Sequence, residues 1–253
     1  MQLSPEQQQR FAAAVEAASG VLRGANGIGS LGEKTLHLTL KYFYAPDPAE
    51  HERSVCGYVA DVFGEQGIVE VQTAHVERLA DKLAAFLPVS EVRVVCPIPV
   101  KKWLIWMDPV SGMMSERKRS PGVERVLAAV GELYGLRGLL LHPSLTVEIA
   151  CLEVEEYRLL DGYGADRKKR ATRYEKIPVA LRELIPLRTT ADYAALLPEG
   201  LDGAFTVKEF AAKAHLRGRD AGKALHVLED VGVVRRAGRA GRAFLYELTD
   251  AGK

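Results

Sequence analysis

Cysteine is scarce in this chain of 253 residues: Cys56, Cys96 and Cys151 are odd in number, far apart and never spaced as Cys-x-x-Cys. That pattern supports neither a disulfide framework nor a zinc ribbon. It makes a reducing cytoplasm the expected compartment, with the thiols as small buried core groups. No run of about 18 apolar residues occurs, so neither a transmembrane helix nor a membrane partner is expected. The opening residues, MQLSPEQQQRF, lack a basic stretch followed by an apolar core and so do not read as a secretory signal. Repeats and low-complexity tracts are missing too, as is charge of one dominant sign: 34 Lys+Arg face 33 Asp+Glu.

What is present suits a globular protein of one or two domains, with 47% hydrophobic residues available for a core. The near-neutral total hides an asymmetry. Residues 1–160 hold 16 basic against 20 acidic side chains, and residues 161–253 hold 18 against 13. A basic C-terminal part fits contact with a polyanion.

Periodicity gives a coarse order of elements. A helix is expected over 4–19, entered at Ser4-Pro5 and closed at Gly20, and a second over 33–44 with Leu36, Leu40 and Phe43 in one stripe. Strand-like runs follow at 51–57, 58–64 and 67–73, the last two joined by a hairpin turn at Gly64-Glu65-Gln66-Gly67. Residues 75–87 form an amphipathic helix, and 92–100 a strand apolar enough to be buried on both faces, with 103–107 as a further strand. A helix is expected over 123–136 and strand-like runs over 136–160. The polar, basic stretch 161–178 reads as a surface loop or linker, and a domain boundary is placed within 180–200. A helix joining one strand to a buried next one implies a mixed α/β sheet.

Several familiar chemistries find no support. Gly27, Gly29 and Gly32 match G-x-G-x-x-G with Glu52 downstream, but the buried strand that must precede a dinucleotide loop is missing, so the segment reads as a plain loop. Ser144 near His142 lacks the G-x-S-x-G elbow, and no H-E-x-x-H occurs. Trp103 and Trp106 read as core side chains rather than base-stacking platforms.

The acidic residues are more informative. Glu70 stands inside the apolar run Ile68-Val69-Glu70-Val71-Gln72, where a carboxylate must be paired, metal-bound or at an exposed edge. Alternation puts Glu70 and Gln72 on one face, Asp61 lies on the preceding strand, and Glu33 opens the second helix near its sheet-facing stripe. Oxygen donors of this kind suit a hard cation such as Mg²⁺.

This order, a helix with Glu33, then strands carrying Asp61 and Glu70-Val71-Gln72, a helix and a buried strand, resembles the PD-(D/E)XK nuclease superfamily core over roughly residues 28–100. The resemblance implies a restriction-endonuclease-like fold: α/β, with a mixed central sheet flanked by helices. It also implies metal-dependent hydrolysis of DNA phosphodiesters, with Mg²⁺ or Mn²⁺ held by Asp61 and Glu70 and assisted by Glu33. Gln72 stands where the family usually has lysine and would position the nucleophile, without supplying the positive charge. Lys82, Lys101 and Lys102 are the candidates for that charge.

Residues 203–250 resemble a winged helix-turn-helix module. Thr206-Val-Lys-Glu209 is a capping-box sequence opening a helix over 206–214, a second helix covers 219–231, and two strands with an Arg/Gly tip follow. The resemblance implies DNA contact by Arg217, Arg219 and Lys223 on the second helix and by Arg235, Arg236, Arg239 and Arg242 on the wing. The expected domains are thus 1–190, nuclease-like, and 191–253, winged-helix. Homodimer formation is left open. The competing expectation is a non-catalytic DNA-binding or regulatory protein with a degenerate nuclease fold.

Overall fold

A computed structural model describes residues 3–24, 35–122, 125–163 and 170–252. Glu33 and the glycines of 27–32 lie outside these residues. The elements in chain order are α1 (Pro5–Gly24), α2 (Thr35–Tyr44), β1 (His51–Val55), β2 (Tyr58–Gly64), β3 (Gly67–Val71), α3 (Ala80–Phe86) and β4 (Val92–Met107). There follow β5 (Lys118–Arg119), α4 (Val126–Glu132), β6 (Leu145–Leu159), β7 (Thr172–Leu187) and α5 (Thr190–Ala194). The chain ends with β8 (Phe205–Thr206), α6 (Val207–Lys213), α7 (Gly218–Asp230), β9 (Val234–Ala240) and β10 (Ala243–Leu248). The fold is mixed α/β, with a large mixed sheet flanked by helices. Its strands run in the order β1-β2-β3-β4-β6-β7 with β5 on β4, and a second sheet runs β8-β10-β9.

The chain divides into two compact units, each built from three stretches of sequence. One comprises residues 1–52, 99–123 and 150–184. Here α1 and α2 pack through apolar stripes at helical spacing. Phe11, Ala14 and Ala18 of α1 and Leu36, Leu40 and Phe43 of α2 are buried, and the Phe11 and Phe43 rings lie edge to face at 5.9 Å. Contrary to expectation, α1 continues past Gly20 to Gly24.

Two further expectations are corrected in this unit. Residues 172–178 are not loop but the start of β7, and Lys101-Lys102 do not interrupt the sheet but sit inside a single 16-residue strand, β4. The reason is electrostatic. Strand β6 carries buried carboxylates, and most of their counter-charges come from its neighbours β4 and β7. Glu153 accepts from Lys101 Nζ at 2.6 Å, from Trp103 Nε1 at 3.0 Å and from Arg182 Nε at 2.9 Å. Glu156, wholly buried, is surrounded by Arg158 at 2.6 Å, Arg173 at 3.4 Å and Lys102 at 3.5 Å. Removing a carboxylate from water costs several kcal/mol unless such partners compensate. The charged residues that look like loop or strand-end sequence are therefore what lets long polar strands lie side by side.

The other unit comprises residues 53–98, 124–149 and 185–253. Strands β2 and β3 form the expected hairpin, in register Gly64↔Gly67 and Val62↔Val69. Gly67 is required: its φ is +93°, and a Cβ there would meet the Glu91 carbonyl oxygen at 2.4 Å. The helix expected over 75–87 opens as a 3-10 turn, Val76–Leu79, and continues as α3, which carries the chain across to β4. β4 then lies parallel to β3, Glu70 beside Val94. Leu83 and Phe86 of α3 are buried, as are Ile68 of β3 and Val94 and Val95 of β4.

Toward the C-terminus the expected capping box forms, with Thr206 Oγ1 accepting from Glu209 N at 3.3 Å and Glu209 Oε2 from Thr206 N at 2.7 Å. Helices α6 and α7 precede the β9–β10 hairpin, with Phe210, Ala221, Leu225, Leu228 and Tyr246 buried. Helix α4 packs closely on α7: a Cβ on Gly131 would lie 3.2 Å from Ala224 N. Among the described residues, no helix is long and apolar enough to cross a membrane.

Candidate active site

Strands β2 and β3 pair by backbone as far as Val62↔Val69, and one step further Asp61 falls opposite Glu70. There the side chains enter the ladder. Asp61 N donates to Glu70 Oε1 at 3.2 Å, and Val71 N donates to Asp61 Oδ2 at 2.8 Å. Two carboxylates thus sit where backbone carbonyls would otherwise accept, which fixes both rotamers against a rigid hairpin.

Glu70 is 2% exposed. Burial, and then the charge of Asp61, push its carboxyl up to about 7. Lys82, half a turn into α3, acts in the opposite sense: its Nζ donates to Glu70 Oε2 at 2.6 Å, with the side chain 18% exposed. Burial has the larger influence on Glu70, and the Lys82 ammonium offsets only part of it. A carboxylate in mid-strand does have a partner, as its apolar surroundings demand.

The other candidates are placed differently. Gln72 continues the backbone ladder through its N–H to Val95 O at 2.8 Å, but its side-chain Nε2 donates to the Ala74 carbonyl and does not join the carboxylates. Lys101 and Lys102 are engaged by Glu153 and Glu156. Of the three lysines considered for the missing charge, Lys82 is the one at Glu70. Periodicity alone could not single it out, because the register between α3 and β3 is set by the crossover. Among the described residues, no group of three or more His, Cys, Asp or Glu is arranged to hold a metal ion. The pair Asp61–Glu70 supplies two hard oxygen donors, a number that Mg²⁺ accepts when water and phosphate complete its shell. Beside the end of β3 opens a cavity of about 590 Å³, lined in part by Thr73, His75, Glu132 and Lys223.

The basic residues of the C-terminal part divide into two sets. Lys223 lies on the α4-facing side of α7, its Nζ 3.1 Å from Glu132. Arg235 pairs with Glu247 at 2.6 Å and Arg236 with Glu229 at 3.1 Å. Arg217, Arg219, Arg239 and Arg242 are exposed, and Arg239 stacks on the Phe244 ring at 4.5 Å. Cys96 and Cys151 are buried, and burial pushes their thiols up to about 12 and about 11; Cys56 is exposed.

Residues 34–188 match the model of a family described as "Domain of unknown function (DUF8091)". The matched stretch takes in Asp61, Glu70 and Lys82 and ends before α5. An uncharacterized protein of Treponema pallidum (strain Nichols) is 28% identical over 167 residues, which are 66% of this chain and 64% of that protein. The chain thus covers less than two thirds of that relative's length. No solved structure matches this chain.

Proposed function

The chain belongs to the DUF8091 family, and from the Asp61–Glu70–Lys82 cluster inside the matched stretch we propose that it is a metal-dependent nuclease hydrolysing DNA phosphodiester bonds. The observation that carries this reading is the meeting of two carboxylates from paired strands with a lysine from the crossover helix. The order α2, β1, β2, β3, α3, β4 supports it, as does the mixed sheet that the PD-(D/E)XK resemblance implies, β2–β3 being antiparallel and β3–β4 parallel.

Asp61 and Glu70 would hold Mg²⁺ or Mn²⁺, which when bound supplies polarisation of the phosphodiester and an acidified water. Lys82 takes the place that Gln72 leaves unfilled, holding a positive charge beside Glu70 where a negative transition state develops. The hairpin keeps Asp61 and Glu70 oriented through Val71 N and Asp61 N. The helix pair α6–α7 with the β9–β10 hairpin supports a winged-helix module, and exposed Arg239 and Arg242 on the hairpin suit phosphate contact.

Incubation of plasmid DNA with the protein and Mg²⁺ or Mn²⁺ tests this. Cleavage is expected, abolished in Asp61→Ala and Glu70→Ala and slowed roughly 10²–10³-fold in Lys82→Ala. Cleavage unchanged in all three variants refutes the assignment. The second reading is a degenerate, non-catalytic DNA-binding or regulatory protein. It is favoured by the Lys82–Glu70 contact of 2.6 Å, which a purely structural buried ion pair would also make. Duplex binding without any calorimetric heat on metal titration selects it.

A further inference from the structure

The tip of the hairpin between β4 and β5 exposes what a folded chain normally hides. Val110 is 95% exposed, Met113 73% and Met114 56%, three large apolar side chains within five residues. Such a cluster is not the by-product of a floppy loop, because the turn is tied together. Asp108 Oδ1 accepts from Val110 N at 2.9 Å and from Ser111 N at 2.8 Å. Asp108 N donates to Met113 O at 2.9 Å, and Gly112, with φ +70°, donates to Asp108 O at 2.9 Å. Below the tip the stem is basic. Arg117 covers the Trp103 ring at 4.1 Å but is paired with Glu155 at 3.2 Å, so among the described residues the free cations of the stem are Lys118 and Arg119, on the exposed return strand paired to Leu104 and Trp103.

Charged residues on a short edge strand are also a common guard against edge-to-edge pairing. That role accounts for Lys118 and Arg119 but not for a rigid apolar crown above them. A second copy of the chain is a poor occupant, since three side chains fall far short of the roughly 1,200 Å² that stable association needs. A lipid surface is a poor one as well, because the tip carries no Trp or Tyr, the residues that favour the interface. Pro109, Val110 and the unbranched Met113 and Met114 at the tip of a two-stranded ribbon, with Lys118 and Arg119 on its stem, have the make-up of a wedge that parts stacked bases while its flanks hold phosphates.

We propose that the 108–114 tip is an apolar wedge that enters a DNA base step and unstacks it, anchored through the phosphates by Lys118 and Arg119. The proposal rests on DNA being the substrate, and extends it by making the bound duplex deformed rather than straight.

The experiment uses the full chain, without divalent ions, and a duplex carrying 2-aminopurine within the bound site. Wild-type protein is expected to raise the probe's fluorescence. Met113→Ser/Met114→Ser is expected to lose that rise and to bind about tenfold more weakly, with unchanged melting temperature. Lys118→Ser/Arg119→Ser is expected to reduce the slope of log affinity against log salt by about two. If the Met variant keeps both unstacking and affinity, the wedge is refuted while cleavage, measured separately with Mg²⁺, can still stand. If the wild type binds no duplex at all, wedge and nuclease reading fall together. Binding to phosphatidylglycerol vesicles or a dimer in sedimentation, lost in the Met variant while duplex binding is not, also overturns the wedge.

Discussion

At the scale of single residues, Glu70 and Glu153 show how the same side chain acquires opposite acid–base behaviour from its partners. Burial works to raise both. For Glu153, hydrogen bonds from Lys101, Arg182 and Trp103 outweigh it and hold the carboxyl at about 2. For Glu70, one lysine cannot offset burial plus the Asp61 charge, and the group stays at about 7. The consequences for stability have opposite signs. Glu70 binds its proton more tightly folded than unfolded, so its contribution is present below about pH 4.5 and is lost as pH rises through about 7. Glu153 contributes above about pH 4.5, and that contribution is lost as pH falls toward 2. Urea unfolding in the presence of a chelator should therefore show wild-type stability falling between pH 4.5 and 7, by at most about 3 kcal/mol. Glu70→Gln should flatten this fall and leave the acid limb unchanged; an unaltered slope in that variant contradicts the assignment. Position 70 was legible in the sequence because a carboxylate in an apolar run has few permitted fates. The choice of Lys82 over Lys101 and Lys102 was not, since all three are lysines near strand or helix ends until the chain's path is known.

Among the elements, legibility followed how local the stabilising forces are. The β2–β3 hairpin is written in Gly64-Glu65-Gln66-Gly67 and the α6 start in Thr206 and Glu209, and both form as read, because a turn and a cap are settled within four residues. Strand β7 escaped because its first five residues, Thr172–Lys176, carry charges with partners on another strand, such as Arg173 with Glu156. Composition gives such a stretch the look of a loop, and only the buried acids of β6 make it a strand. The packing of α4 on α7 was equally hidden, since it depends on a glycine that no local rule requires. Gly131 lets the helices approach so that a Cβ would lie 3.2 Å from both Ala224 N and Asp220 O, atoms of a helix backbone that cannot swing aside. Gly131→Val should destabilise the protein by about 1–3 kcal/mol through overpacking. Chemical denaturation checks this, with Gly138→Ala as a comparison for a glycine whose added Cβ meets nothing within 4 Å but whose φ is +85°.

For the molecule as a whole, net charge says less about a polyanion partner than the internal pairing of that charge does. The excess of basic residues in 161–253 first suggests seven arginines and lysines on α7 and the β9–β10 hairpin available to DNA. Three of them already face carboxylates within the protein: Lys223 faces Glu132, Arg235 faces Glu247 and Arg236 faces Glu229. Each such pair must be broken before its cation can release a counterion from DNA, and the carboxylate left behind repels the same phosphate. The affinity should therefore be carried by exposed side chains at the hairpin. Arg239→Ser/Arg242→Ser is expected to lower the log–log salt slope of duplex binding by about two, whereas Lys223→Ser should leave it nearly unchanged. Fluorescence anisotropy across a salt series measures both. A Lys223 variant that loses as much slope as the hairpin variant would mean that α4 moves off α7 on binding, and that α7 itself reaches the DNA.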